Sequence, residues 1–143
     1  MVRHMASVFS RIIAGESPGT FVWRDDRCVV FLSINPLARG HALVVPIEEF
    51  DHWIDGDADL LAHLFEVSRV IGLAQRAAFD CARIGVIIAG YEVPHTHVHV
   101  IPTRSMAHLS FANAARCVDR DDLEAAAEAI RVELRAMHRS EVA

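Results

Sequence analysis

His95, His97 and His99 alternate with Thr96 and Val98 in one short segment of the chain. Successive side chains of a β-strand point to opposite faces, so the three imidazoles are predicted to share one face. Neighbouring positions on that face are about 6.6–7 Å apart, which lets each ring approach the same small ligand. A neutral imidazole offers one N–H donor and one lone pair near physiological pH. The spacing therefore predicts an active site that handles a phosphate group.

The same spacing also fits a metal site. Two histidines of a His-x-His pair can bind zinc, and His41, Glu49 and Glu92 are candidates for a further ligand. A solvent-facing edge strand with incidental histidines is a third interpretation, but the apolar residues around the row count against it. Spacing alone leaves the metal-dependent and metal-free interpretations open.

The composition narrows the class of protein. The chain has 143 residues, 52% of them hydrophobic, and a net charge of −5, which predicts one domain and argues against a nucleic-acid backbone as ligand. Cys28, Cys81 and Cys117 are widely spaced, which fits a reducing cytoplasm better than a disulfide framework. The sequence contains no apolar run of about 18 residues, so no membrane segment is predicted. Met5 is a candidate natural start, so residues 1–4 carry no functional weight.

Hydrophobic periodicity predicts five strands and three helices. The strands are expected at 21–24, 28–34, 41–45, 84–89 and 95–101. The helices are expected at 7–13, at 59–78 and after Asp121. Because the order contains no repeated βαβ unit, the pattern indicates an α+β fold with an antiparallel sheet.

Four sequence blocks resemble the histidine triad (HIT) family, which includes the Hint- and Fhit-type nucleotide hydrolases. The segment 95–101 is similar to the family signature, 9–16 to its N-terminal helix, 24–26 to its hairpin and 40–46 to its third strand. The blocks occur in the family's order and span about residues 7–103. The resemblance implies a HIT-like fold: a five-stranded, mainly antiparallel sheet with a short N-terminal, a long central and a C-terminal helix. It places one HIT domain at 5–140, with a variable segment from about residue 104.

The resemblance also implies a mechanism. His97 would attack the α-phosphorus of a nucleoside phosphoramidate, an acyl-nucleotide or a dinucleoside polyphosphate, and water would hydrolyse the nucleotidyl-histidine. No cofactor or metal is expected. His95, His99 and His41 would orient His97, bind the phosphate oxygens and assist the leaving group. Imidazole is a reasonable nucleophile at neutral pH, and covalent catalysis splits one difficult displacement into two easier ones.

The implied ligand is a purine nucleotide resembling AMP. The residues matching the family's nucleotide-binding positions are Phe9, Ile12, Phe31, Ser33, Ile34, Val44 and Gly90. Family members are commonly homodimers that pair the central helix and the fourth strand across a two-fold axis. The same pairing is expected here, with 60–78 at the interface.

Several positions depart from the family pattern. Ser33 stands where many members carry an Asp or Asn that binds the ribose, and the loop 89–94 is short. Ser7 and Ser10 replace a pair of cysteines, and Glu49 replaces a histidine, which together remove the zinc site of zinc-bearing relatives. Two alternative functions stay open on this basis. One is a nucleotide-binding regulatory module with little turnover, and the other is a metal-dependent hydrolase using the histidine cluster.

Overall fold

The computed structural model describes residues 5–143, so the expectation for residues 1–4 lies outside the described residues. The helices are α1 (Val8–Ile13), α2 (Ala58–Ala78) and α3 (Arg120–Ala136). The strands are β1 (Phe21–Arg24), β2 (Cys28–Leu32), β3 (Ala42–Pro46), β4 (Arg83–Ile87) and β5 (Val98–Thr103). Short 3-10 turns lie at Trp53–Asp55, Met106–Leu109 and Phe111–Asn113. The predicted α+β architecture is confirmed. No helix among the described residues has the length and apolar character needed to cross a bilayer.

The strands form one sheet in the order β1-β2-β3-β5-β4, and every neighbouring pair is antiparallel. The β1–β2 hairpin turns at Asp25, whose Oδ1 accepts hydrogen bonds from the backbone N–H groups of Arg27 and Cys28. At the β1 edge, the last residues of the chain add a bridge between Trp23 and Val142. The opposite edge strand, β4, pairs only with β5 among the described residues.

The two faces of the sheet are covered differently. On one face, Val30, Val44, Val98 and Val100 pack under α2 and α3. The 3.6-residue periodicity predicted for the long helix is what brings its apolar stripe onto this face. On the other face, side chains from β2 and β3 form a smaller cluster that the short helix α1 covers through Phe9. The histidine row lies on this second face.

Strand ends differ from the sequence prediction at the site. The strand β5 begins at Val98, so His95 and His97 precede it rather than belonging to it. Their backbone is held by local bonds instead of the sheet ladder: His95 N–H donates to the Val93 carbonyl, and Thr96 N–H donates to the Phe50 carbonyl. The strand β2 ends at Leu32, two residues earlier than predicted.

Candidate active site

Four histidines lie together on the α1 face of the sheet. His99 pairs with Leu43 of β3 across the sheet, and His41 immediately precedes that strand. The His97 and His99 ring centroids are 4.8 Å apart, and those of His41 and His99 are 5.1 Å apart. All four side chains, including His95, are buried. The prediction that the alternating histidines share a face is confirmed for His97 and His99, and His41 joins them from a distant part of the chain.

A backbone carbonyl determines which ring nitrogen of His97 carries the hydrogen. Its Nδ1 lies 2.7 Å from the His95 carbonyl oxygen, which only accepts, so Nδ1 carries the hydrogen. The lone pair is therefore on Nε2. Among the described residues this atom has no hydrogen-bond partner, and it is not fully buried. Burial lowers the pKa of His97, although the bond to the His95 carbonyl opposes the effect. The ring is thus a neutral base at neutral pH, with its lone pair accessible to a ligand.

His99 carries its hydrogen on the other ring nitrogen, Nε2, because a chain of hydrogen bonds that begins at the Leu37 backbone ends on its Nδ1. The Leu37 backbone N–H donates to His41 Nδ1 at 3.0 Å, which leaves the hydrogen of a neutral His41 on Nε2. That nitrogen donates to His99 Nδ1 at 2.9 Å, so His99 carries its hydrogen on Nε2. Burial, followed by the charge of nearby histidines, lowers the pKa of His41 to about 4 and that of His99 to about 3. The site therefore offers a lone pair on His97 beside an N–H donor on His99.

His95 is committed at both ring nitrogens. Its Nε2–H donates to the Pro46 carbonyl at 2.7 Å, and its Nδ1 accepts from the Ser7 hydroxyl, also at 2.7 Å. Burial lowers the pKa of His95, while the bond to Pro46 and the Glu49 carboxylate act in the opposite direction. With neither nitrogen available to a ligand, this ring positions the backbone of the row.

Three of the predicted nucleotide-binding residues lie on the α1 face of the sheet, and one of them, Phe9, contacts a histidine. The Phe9 ring meets His97 edge-on at 4.8 Å and Phe31 at 5.3 Å. Ile12 is half-buried and packs against the same apolar cluster. α1 therefore carries two of the three residues, and Ser7 at its N-terminus also contacts His95.

The other four predicted binding residues are placed differently. Val44 belongs to the opposite face, under α2, because it pairs with Val98 while the neighbouring Leu43 pairs with His99. Ile34 lies beyond the end of β2 and is 71% exposed. The Ser33 hydroxyl accepts a hydrogen bond from the backbone N–H two residues on, and Gly90 has φ 82° with open space around it. The expectation of a common apolar pocket is thus corrected for Val44, while the exposed Ile34 stays a predicted contact.

Sequence reasoning left Phe111 unassigned. Its ring meets His99 edge-on at 5.1 Å and is 41% exposed. The segment is held over the site because the Asn35 side-chain amide donates to the carbonyls of Ala115 and Arg116. The Pro36 carbonyl also accepts from Ala115 N–H. An aromatic residue after the last strand was the only sequence signal, and it carried no information about what the ring would contact.

The hydrogen bonds of the four histidines limit which of their ring nitrogens could bind a metal. His41 and His95 use both ring nitrogens for protein hydrogen bonds, and His99 Nε2 carries a hydrogen, so among the four rings only His97 offers a lone pair, on Nε2. Among residues 5–143, a trio with metal-ligating atoms within 4.8 Å of one another is formed by Asp25, Cys28 and His63, away from the row. A metal bound at the histidines would therefore have to take its further ligands from outside the four rings or break their hydrogen bonds.

Comparison with known proteins matches residues 14–106 to the HIT domain. The chain belongs to the HIT family. A HIT-like protein of Mycobacterium tuberculosis is 33% identical over 132 residues, covering 89% of this chain and 92% of that protein. The adenylylsulfatase of Arabidopsis thaliana is 30% identical over 102 residues, covering 68% of this HIT protein and 52% of the plant enzyme.

A solved structure shows the same fold. A hypothetical histidine triad nucleotide-binding protein from Sulfolobus tokodaii superimposes with a TM-score of 0.81 and 28% identity, over 92% of this chain and 93% of the other. The HIT family is thus a nucleotide-binding family that includes hydrolases acting on nucleotides. The fold and family predicted from the sequence are both confirmed.

Proposed function

We propose that this HIT protein is a nucleotidyl hydrolase or transferase that acts through a nucleotidyl-His97 intermediate. Its substrates would be a nucleoside phosphoramidate, an acyl-nucleotide or a dinucleoside polyphosphate. The observation that carries the proposal is the hydrogen bond from His97 Nδ1 to the His95 carbonyl, since it leaves the lone pair on Nε2. A fixed, unprotonated nitrogen is what nucleophilic attack requires.

In the first step, His97 Nε2 forms a bond to the α-phosphorus while the bond from phosphorus to the leaving group breaks. The departing group keeps the bonding electron pair and takes up a proton from solvent, which the second step returns. The Nε2–H of His99 is the hydrogen-bond donor for the phosphate or the leaving group, and His41 keeps it in that tautomer. Water then attacks the phosphorus, the bond to Nε2 breaks, and the nucleotide, a proton and neutral His97 are released.

The intermediate places a positive charge on the His97 ring, because Nε2 is bonded to phosphorus while Nδ1 keeps its hydrogen. The His95 carbonyl accepts that hydrogen at 2.7 Å, and a hydrogen bond to a charged donor is stronger than one to a neutral donor. The bond therefore stabilises the intermediate more than the ground state. This is differential stabilisation of the kind that accelerates a chemical step.

A purine nucleotide resembling AMP is the ligand we propose. Phe9 and Phe31 supply apolar and aromatic surface beside the nucleophile. The Arabidopsis relative is an adenylylsulfatase, which agrees with an adenylyl group as the transferred unit. Val44 is excluded from this pocket because it lies under α2, whereas the exposed Ile34 side chain stays a candidate contact for the base.

The decisive experiment is intact-protein mass spectrometry after mixing with adenosine phosphoramidate and quenching under denaturing, non-acidic conditions. Wild type should gain the mass of an AMP group and turn the substrate over, whereas His97→Ala should do neither. His52→Ala, which removes an exposed histidine, is the matched control and should behave as wild type. An adduct or turnover that survives in His97→Ala would reject the mechanism.

Tight AMP binding without turnover in wild type would favour the regulatory module, and loss of turnover with EDTA would favour the metal-dependent hydrolase.

We further propose a homodimer formed through β4 and α2. The strand β4 presents an open edge, and Phe65 and Val86 beside it are 65% and 43% exposed. A cavity of about 260 Å³ between α2 and β4 is lined by these two side chains among others. Light scattering should give twice the chain mass for wild type and for Val132→Glu, and a single chain for Phe65→Glu. A single-chain mass for wild type would contradict this assembly.

We also propose the domain limits and the location of the protein. We place the domain at residues 5–140, although the family match itself covers 14–106. We also retain the cytoplasmic location, for which the support is three unpaired cysteines. Limited proteolysis tests the first and cell fractionation the second.

A further inference from the structure

A partly buried polar cluster lies where the start of α1 meets the loop after β3. It consists of Ser7, Ser10, Glu49 and His95 and is called the Glu49 cluster below. Glu49 Oε1 accepts from the Ser7 backbone N–H at 2.6 Å and from the Ser10 hydroxyl at 2.8 Å. The Ser7 hydroxyl accepts from Ser10 N–H at 3.0 Å, which caps α1, and lies 2.7 Å from His95 Nδ1. Three of the four residues, Ser7, Ser10 and Glu49, stand where the sequence departs from the zinc-bearing pattern.

The hydrogens in this cluster have one consistent arrangement with neutral His95. Since its Nε2 faces the Pro46 carbonyl, the ring hydrogen must be on Nε2, and Nδ1 can only accept. The Ser7 hydroxyl therefore donates to Nδ1, and its oxygen remains available to cap α1. The Ser10 hydroxyl donates to Glu49 instead, because its distance to Nδ1 is 3.5 Å.

The Glu49 cluster contacts His95, the first residue of the histidine row, which the sheet does not hold. His95 and His97 precede β5, so no strand ladder fixes the carbonyl of His95. That carbonyl receives the His97 Nδ1 hydrogen and so sets which nitrogen of His97 has the lone pair. Through Ser7, the same cluster anchors α1, a six-residue helix too short to be stable alone, and with it the Phe9 ring against His97.

We propose that Glu49 and Ser7 are positioning residues that hold His95, and through its carbonyl keep His97 in the reactive tautomer. The proposal rests on the proposed function for its catalytic consequence. Its structural part, the tautomer of His97, is independent of any substrate. Glu49 does not touch the reacting atoms: its carboxylate is 4.0 Å from His95 Nδ1 and acts through the Ser7 backbone and hydroxyl.

The test compares four variants with wild type, by steady-state kinetics on adenosine phosphoramidate and by imidazole ¹⁵N NMR. Glu49→Ala should lower kcat by about tenfold or more, with KM changed by less than about threefold, since alignment rather than ligand binding is lost. Glu49→Gln keeps an oxygen acceptor for Ser7 and should recover most of kcat. Ser7→Gly removes the hydroxyl while remaining an acceptable N-cap, so it should resemble Glu49→Ala. Glu48→Ala, which removes the exposed neighbouring carboxylate outside the Glu49 cluster, is the matched control and should stay within about threefold of wild type.

NMR separates this inference from the proposed function. The wild-type spectrum should show His97 with its hydrogen on Nδ1 alone, and Glu49→Ala and Ser7→Gly should show a mixture of both tautomers. Unchanged kcat together with one His97 tautomer in both variants would overturn the positioning role while the proposed function stood. If wild type proved inactive, the proposed function would fail, and the NMR comparison would still decide the positioning role. Should Glu49→Ala fail to fold, Ser7→Gly and Glu49→Gln carry the same comparison.

Discussion

Acid should destabilise this protein as the pH falls from about 6.5 to about 3, because its buried histidines cannot accept protons readily while folded. The pKa values of His41 and His99 fall from the ordinary 6.5 to about 4 and about 3, chiefly through burial. Above pH 6.5 both rings are neutral in the folded and unfolded chain, so stability is flat there. Below pH 6.5 the unfolded chain binds protons that the folded chain does not, and the free energy of unfolding decreases as pH falls.

The size of the effect follows from the two pKa values. At pH 5, which is about 1.5 units below the pKa of an unfolded histidine, each proton that the folded state excludes lowers the free energy of unfolding by about 2 kcal/mol. His41 and His99 together therefore remove about 4 kcal/mol between pH 8 and pH 5. His95 and His97 act in the same direction, since their pKa values are also lowered. Such a loss is a large fraction of the roughly 5–15 kcal/mol that stabilises an ordinary domain.

Urea denaturation at pH 8 and pH 5, at one protein concentration, measures this directly. Fluorescence of the buried Trp23 can report unfolding. Asp25, whose pKa is lowered to about 2, affects the free energy of unfolding only near and below its ordinary pKa of 3.8, outside this window. His41→Gln should reduce the difference by about 2 kcal/mol, because one excluded proton is removed. A wild-type difference below about 1 kcal/mol, or an undiminished difference in His41→Gln, would refute the reasoning.

Three substitutions extend these predictions. Asp25→Ala leaves the Trp23 indole N–H and two backbone amides without their acceptor, so it should lower the free energy of unfolding by about 2–4 kcal/mol in urea denaturation. Asp25→Asn should lose less, and an unchanged Asp25→Ala would show that these bonds contribute nothing. Gly40→Ala should both destabilise the fold and slow turnover, since φ is +87° and the added Cβ would overlap the Phe79 ring; wild-type melting and kcat would contradict this. Phe111→Ala removes the ring edge-on to the last imidazole of the row. It should reduce any preference for aromatic over small leaving groups by about 3–10-fold in kcat/KM, and an unaltered preference would argue against contact with the leaving group.

Much of the site's pattern can be read locally from the sequence. The alternation of His97 and His99 with Val98 puts the two rings on one face of any extended chain, because the side-chain period is two. The apolar spacing of α2 likewise identifies a helix with one buried face, and the observed helix, Ala58–Ala78, differs from the predicted 59–78 by one residue. These features depend only on backbone geometry within a few residues, so they survive without knowledge of the remaining chain.

Which face carries the chemistry was decided by the tertiary structure. Val44 and Leu43 are equally apolar, yet only the pairing of β3 with β5 places Leu43 beside His99 and Val44 under α2. The hydrogen bond between His41 and His99 joins residues 58 positions apart, and its direction is set by the Leu37 backbone. Such contacts depend on which distant elements cover each face, information that no local spacing contains. The row of histidines was therefore predictable, whereas the lone pair on one ring and the N–H on the next required the fold.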